Sequence, residues 1–461
     1  MKHVTGLRCV ICGEQYQPHE VDYVCPRHGH EGILDVEYDY PAIREQLGLP
    51  NPRWNIGQSP IPNLQSPMEH RTIPNLQSPI ADPQSSRGMF AYHPFLPVAE
   101  TTPAPPLLVG ATPLYNAPRL AAACGVRQIW VKDDSRNPTA SFKDRASAIA
   151  VMKAQEVGAA VVTTASTGNA AAALAGLAAS VGQKSVIFVP ASAPPAKIAQ
   201  LLVYGATVLL VEGTYDDAFE LCLQASDAFG WYCRNTGYNP YMAEGKKTVV
   251  FELYDQLSLE VQSISNPQSP IPNLFIPVGD GCIISGVYKG LRDLAGVGLL
   301  PAMPRLIGVQ AAGSAYLYQA WLNDEDVLIK PMIQARTVAD SISAGLPRDR
   351  IKAMAAVRAT DGAFLTVTDD EILAAIPALA RGCGIFAEPA AAAAYAGLVK
   401  AAASGLVGPA DTVALLITGS GLKDVGAAMK ATGRAKTIKP TLRALKQALK
   451  EDRDWRLEIG D

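Results

Sequence analysis

From about residue 94 the chain alternates two patterns. Short runs that are apolar nearly throughout read as strands buried on both faces: "QIWVKD" (128–133), "AVVTTA" (160–165), "SVIFVP" (185–190), "TVLLVEG" (207–213), "NLFIPVG" (273–279), "RLIGVQA" (305–311) and "TVALLIT" (412–418). Longer stretches such as "NAAAALAGLAASVG" (169–182) lie between several of them and read as helices. Strands of this kind separated by helices predict an α/β fold with mostly parallel sheets covered on both faces. Ligands bind such folds where strands end, so the polar strings at those ends carry the functional argument.

Two stretches interrupt the alternation. In "QSPIPNLQSP" (58–67) and "IPNLQSPI" (73–80) the prolines remove backbone donors and forbid both helix and central strand. Residues 51–93 are therefore expected to be a proline-rich, low-complexity linker without chemistry; the string "QSPIPNL" recurs at 268–274. Before it, Cys9 and Cys12 form one pair and Cys25 and His28 another, with twelve residues between the pairs. Three thiolates and one imidazole at this spacing suit a structural zinc in a ribbon-like module over residues 1–40, with reduced thiols in a packed module as the alternative.

The bulk numbers narrow the classes. A chain of 461 residues is too long for one ordinary core. With 48% apolar residues it can bury a sizeable core, and a net charge of −3 calls for neither nucleic acid nor an anionic membrane. No run of about 18 apolar residues appears. The start "MKHVTGLRCVICGEQ" has no signal-peptide form, so a soluble cytoplasmic protein is expected. Eight cysteines in this length do not make a disulfide scaffold. All six histidines lie at or before His93, which leaves proton transfer in the main body to lysine, carboxylate, tyrosine or cysteine.

Four strings at strand ends are chemically suggestive. In "NPTASFKDRAS" (137–147), Ser141 and Asp144 have capping-box spacing, which puts Lys143 in the first turn of a helix. The positive helix end and burial both disfavour an ammonium there, as a Schiff-base lysine requires; an ordinary surface lysine is the competing reading. "ASTGNA" (165–170) places Ser166, Thr167, Gly168 and Asn169 at a helix start, suited to an anion or simply to capping. "VGDGCIISG" (278–286) lets backbone approach a ligand at Gly279 and Gly281. "ITGSGLKD" (417–424) sets the hydroxyls of Thr418 and Ser420 beside two glycines.

Together with "GATPL" (110–114), "PVGDG" (277–281) and "GIFAEPAAAA" (384–393), these strings resemble, in order, the beta family of pyridoxal-phosphate enzymes. Within it the chain is most similar to the threonine synthases, through "EGTYDDAF" (212–219), "SDAFGWYCRNT" (226–236) and "YNPYMAEGKKT" (238–248). The resemblance covers about residues 94–430, and a cysteine-rich ribbon also occurs in some threonine synthases. It implies a fold-type II enzyme with two open α/β domains. Residues 94–145 with 246–440 would form the large cofactor-binding domain and 146–245 the small one, followed by a helical tail over 441–461. A homodimer is expected. Lys143 would hold pyridoxal 5'-phosphate through a Schiff base and shuttle protons, with Phe142 packed beside it. Asn169 would bond the cofactor's phenolic oxygen, and Thr418 would meet its pyridine nitrogen. Backbone groups of Gly279, Asp280, Gly281, Cys282 and Ile283 would cradle its phosphate. Ser166, Thr167 and Gly168 would take the carboxylate of an amino-acid substrate.

Three features depart from the family pattern. Asp280 and Cys282 stand in a cradle that is usually richer in glycine, and Ala140 replaces the usual glycine before Ser141. Met242 occupies a place that commonly holds a basic residue, expected to help bind substrate phosphate. Lys132, with Arg145 behind it, is the first candidate to supply that charge instead. The implied reaction converts O-phospho-L-homoserine and water to L-threonine and phosphate. Met242 favours a threonine or serine dehydratase, or another β-replacement lyase, as the alternative. A cofactor-less regulatory relative is opposed by the intact "SFKDR" and "STGN".

Overall fold

Each of the seven apolar runs forms a strand, and those at 207–213, 273–279 and 412–418 give up their last one or two residues to the loops that follow. The computed structural model describes residues 1–49, 88–193, 195–261, 271–300, 302–433 and 435–450. Thirteen strands occur among them: β1 (Val4–Cys9), β2 (Gln15–Tyr16), β3 (Leu34–Tyr38), β4 (Leu114–Asn116), β5 (Gln128–Asp133), β6 (Val161–Ala165), β7 (Lys184–Pro190), β8 (Thr207–Val211), β9 (Tyr232–Cys233), β10 (Asn273–Pro277), β11 (Arg305–Ala311), β12 (Ala363–Val367) and β13 (Thr412–Ile417). They build a six-stranded sheet in the order β12-β11-β10-β13-β5-β4 and a four-stranded sheet in the order β8-β7-β6-β9. Every pairing in these two sheets is parallel except β4 with β5. The third sheet, β2-β1-β3, is antiparallel and belongs to the amino-terminal ribbon.

The central strands are buried along their length, as β10 and β13 show at every position. β8 departs from the expectation of burial on both faces: Leu209 and Leu210 are exposed, because this strand is the edge of its sheet.

The helix Lys143–Glu156 follows β5 and packs on both Asn169–Ser180 and Tyr241–Lys246. The last of these contacts depends on a glycine. A Cβ at Gly245 would stand 2.1 Å from the Arg145 carbonyl oxygen. On its other side the helix Tyr241–Lys246 meets the helix Cys282–Gly296, where a Cβ at Gly286 would stand 2.7 Å from the Cβ of Lys246. Position 246 is thus held in a three-helix crossing.

The expected linker lies largely outside the described residues, including both strings at 58–67 and 73–80. Its far end does not. Residues 88–95 form 3-10 turns with Met89, Phe90, Tyr92 and Phe95 buried. Tyr92 and Phe95 pack against Phe251 at 5.3 and 4.9 Å between ring centroids, and the Tyr92 hydroxyl donates to Asp255 at 2.7 Å. Linker character therefore stops short of residue 93, because these aromatics carry too much apolar surface to stay in water. The repeat at 268–274 likewise runs into β10, where Leu274 is buried.

The ribbon is docked rather than tethered. Leu7, Leu34 and Val36 share one apolar cluster with Val162 and Ile187 of the four-stranded sheet. The Tyr38 hydroxyl donates to Glu244 at 2.7 Å, the Tyr40 hydroxyl donates to Asp293 at 2.8 Å, and Arg350 pairs with Glu31. Among the described residues no helix is long and apolar enough to cross a membrane.

Candidate active site

β5 and β13 are neighbours, with Ile417 opposite Asp133, so the loops that leave their ends share one site. The strings at 139–142, 386–388 and 418–421 are laced together there. The Phe142 amide donates to Thr418 O at 2.9 Å, that of Ser420 to Ala140 O at 3.1 Å, and that of Glu388 to Gly419 O at 3.0 Å. Ala140 makes this turn at φ 63°, in the left-handed region that glycine occupies without cost.

Lys143 is the first residue of its helix, but the expected capping box is not formed. Asp144 is turned back to accept from the Thr139 amide at 2.7 Å and the Thr139 hydroxyl at 2.5 Å. Burial pushes the Asp144 carboxyl up to about 6. The buried Ser141 hydroxyl has no hydrogen-bond partner among the described residues. Burial also pushes the Lys143 ammonium below its ordinary value; Arg234 adds to this, while Cys282, Asp280 and Glu388 oppose it. Phe142 is fully buried beside it, and Thr418 is buried at the end of β13.

Across the cleft, the helix Asn169–Ser180 begins after Gly168 with no side chain capping it, so its first-turn N–H groups face the site. Ser166 Oγ accepts from the Gly168 amide at 3.3 Å, and Thr167 lies between them. The Asn169 amide donates to both oxygens of Glu388, at 2.8 and 3.0 Å. Glu388 thereby joins the two sheets. Sequence reasoning quoted it inside "GIFAEPAAAA" but gave it no role. The available signal was a carboxylate directly before the proline that opens the helix Pro389–Ala403. Burial pushes its carboxyl up.

The cradle lies at the end of β10. Gly281 takes φ 85° and the helix Cys282–Gly296 starts at once, with Ile283 in its first turn. Asp280 does not confront an anion there. Its carboxylate accepts from the Arg348 amide at 3.3 Å and its carbonyl from that of Asp349 at 2.9 Å. A Cβ at Gly279 would press on Ile342 at 2.7 Å, so the turn is closely backed. Burial pushes the Cys282 thiol up to about 12, which keeps it neutral.

The cations fall into two groups. Lys132 does not reach the cleft. Its ammonium is buried and donates to Thr112 O at 2.6 Å, Glu252 at 2.7 Å and Gln256 at 3.0 Å, which uses all three of its donors. Arg145 is equally committed, to Asp134 and to Glu252, each at 2.6 Å. Neither supplies charge to a substrate, because the same carboxylates that make their burial tolerable also neutralise them. Lys247 is paired with Glu244 and, at 2.6 Å, with Asp293. The second group is Arg234 and Lys246, both buried and neither paired with a carboxylate among the described residues. Met242 is buried in the core.

In the ribbon, one ligand atom from each of Cys9, Cys12, Cys25 and His28 lies within 4.8 Å of the others. Cys12 Sγ and Cys25 Sγ are 3.9 Å apart, and His28 Nδ1 stands 3.8 Å from Cys9 Sγ and 3.5 Å from Cys25 Sγ. A tetrahedron of thiolates at about 2.3 Å from zinc has edges of ~3.8 Å, so the set is already at metal-binding separation.

Comparison with known proteins gives these features relatives. The model of the pyridoxal-phosphate dependent enzyme family matches residues 106–419. The chain is 33% identical to a threonine synthase of Methanocaldococcus jannaschii over 96% of its own length and 99% of that protein. It is 35% identical to one of Methanosarcina acetivorans over 96% and 98%, and 39% identical to one of Synechocystis over 80% and 93%. Among solved structures it resembles the processed form of threonine deaminase isoform 2 from Solanum lycopersicum, with a TM-score of 0.56 and 23% identity over 70% of this chain and 87% of that one. Maize serine racemase gives 0.57 and 20% over 69% and 91%. These two likenesses concern the fold.

Proposed function

The chain belongs to the pyridoxal-phosphate-dependent enzyme family and stands within it among the threonine synthases; from that premise we infer how its residues convert O-phospho-L-homoserine and water to L-threonine and phosphate. The observation that carries this reading is the match to two threonine synthases along nearly the whole of both chains.

The residues present fit the cofactor. Among the described residues the Lys143 ammonium makes no hydrogen bond or ion pair and the buried Ser141 Oγ has no partner, and a glycine turn opens a helix close by. When bound, pyridoxal phosphate supplies an electron sink for charge left on the substrate's α carbon. Lys143 holds the cofactor and moves protons at its Nζ. Burial favours the neutral amine that can take the α proton. Backbone N–H groups from Gly279 to Ile283 hold the cofactor's phosphate, with Asp280 turned away from it. Thr418 gives the ring nitrogen a neutral partner, Phe142 packs beside Lys143, and the Asn169 amide serves the phenolic oxygen. Ser166, Thr167, Gly168 and the helix start behind them take the substrate carboxylate. Phosphate leaves the γ carbon, and water adds at the β carbon.

The ribbon cluster is proposed to hold one structural zinc, since four protein ligands leave no open position. The same reading carries a homodimer in the cytoplasm, which light scattering and cell fractionation test. The purified protein is expected to release phosphate from O-phosphohomoserine. Keto acid from threonine or serine without phosphate release would replace this reading with a dehydratase. Borohydride reduction is expected to fix the cofactor to Lys143; attachment to another lysine would overturn the assignment.

A further inference from the structure

Resting on that reading, we propose that Arg234 and Lys246 form the subsite for the substrate's phosphate, and that the cation expected at position 242 has moved one helical turn along the same helix. Positions 242 and 246 are four apart within Tyr241–Lys246 and share a face. Met242 packs in the core at 0% exposure, where a charged side chain would need a partner of its own. Lys246 is also at 0% exposure, yet its Nζ has no hydrogen-bond partner among the described residues. Buried charges are ordinarily paired, so an orphaned buried ammonium points to a ligand.

Arg234 is in the same condition. Its guanidinium donates to Ser147 Oγ at 3.1 Å, Thr236 Oγ1 at 3.0 Å and the Lys143 carbonyl at 3.4 Å, all neutral acceptors. The contrast with the other buried cations decides the point. Lys132, Arg145 and Lys247 each have a carboxylate within 2.7 Å. Asp349 acts on Lys246 only from beyond ion-pair distance and itself pairs with Lys352 at 3.8 Å. The result is concentrated, unmatched positive charge. Burial foremost, with repulsion from Lys143 and Arg234 added, draws Lys246 down to about 7. Burial draws Arg234 down to about 10. A phosphomonoester carries close to two negative charges at neutral pH and accepts several charge-assisted bonds, which is the complement this pair lacks. The contact from Arg234 to the Lys143 carbonyl puts the subsite beside the reacting lysine, where a phosphate on the γ carbon must lie.

The test uses the holoenzyme with inorganic phosphate as probe, and compares Lys246→Met, Arg234→Met and the charge-keeping Lys246→Arg. Each methionine variant is expected to raise KM for O-phosphohomoserine about tenfold or more and to weaken competition by inorganic phosphate by a similar factor. Lys246→Arg should recover most of both, and cofactor affinity should stay within about twofold throughout. Lys246→Gln serves if the methionine variant does not fold. Unchanged phosphate competition and KM in the methionine variants would overturn the proposal. So would a loss confined to cofactor retention, which would assign the two cations to the cofactor's phosphate. If the wild-type holoenzyme bound inorganic phosphate through Lys246 but released none from O-phosphohomoserine, the assigned substrate would fall and the anion subsite would stand.

Discussion

Ala140 shows what a single residue costs at this site. It holds φ at 63° so that its carbonyl can accept from Ser420 while the chain turns into the Lys143 helix. A left-handed conformation costs a residue with a Cβ about 1–2 kcal/mol. Ala140→Gly is therefore expected to stabilise the protein by ~1 kcal/mol, seen as a higher urea midpoint with an unchanged slope. Lys246 makes a prediction of the other kind. Its folded-state value near 7 lies below the usual 10.5, so the unfolded chain binds more protons between those limits. Stability of the apoenzyme should rise with pH across that window, and the slope should be shallower in Lys246→Met. Equal slopes in both proteins would show that Lys246 is not held depressed. At this scale Lys143 was legible, because "SFKDR" announces a helix start. The split between Lys246 and Lys247 was not. Successive helical residues point about 100° apart, and only the assembled fold decides that one meets Glu244 and Asp293 while its neighbour's ammonium has no hydrogen-bond partner among the described residues.

At the scale of elements, apolar runs were the dependable signal because a strand buried on both faces has no other way to be written. β9 escaped notice with two residues, and β4 with three. β12, "AFLTV", was passed over although its pattern was present; it closes one edge of the large sheet. The Ser141 to Asp144 spacing misled, since Thr139 offers Asp144 two donors where the helix offers one. Lys132 misled for a related reason. It stands next to the last residue of its strand, but Glu252 pairs with it at 2.7 Å and claims it. That glutamate binds four elements together, accepting from Lys132, Arg145 and the amides of Ala111 and Thr112. Glu252→Gln is expected to cost about 3–5 kcal/mol, because it strands the buried Lys132 and leaves Arg145 to Asp134 alone. A change under about 1 kcal/mol in denaturant unfolding would mean that water reaches the pair.

At the scale of the molecule, the ribbon is joined to the catalytic body through the helices that position Lys246. Tyr38 bonds Glu244 and lies 4.0 Å beneath the Lys247 ammonium, while Tyr40 bonds Asp293. Cys12→Ser is expected to lower bound zinc and the thermal midpoint together. Tyr38→Phe should cost about 1–3 kcal/mol with zinc retained, since it withdraws a buried donor from a carboxylate. Loss of zinc without any change in midpoint would separate the ribbon from the stability of the body. The sequence spacing of Cys9, Cys12, Cys25 and His28 foretold the cluster, whereas its docking depended on partners hundreds of positions away.

That separation has a consequence for how the protein is made. The ribbon leaves the ribosome before the body it docks on, and its contacts to Glu244 and Arg350 span 206 and 319 residues of sequence. Throughout the synthesis of the intervening chain it has no body to lean on, and only its own small sheet and the four metal ligands are available to hold it. With zinc in the site proposed for it, metal supply during translation, rather than in the finished enzyme, is the moment at which zinc starvation would be felt.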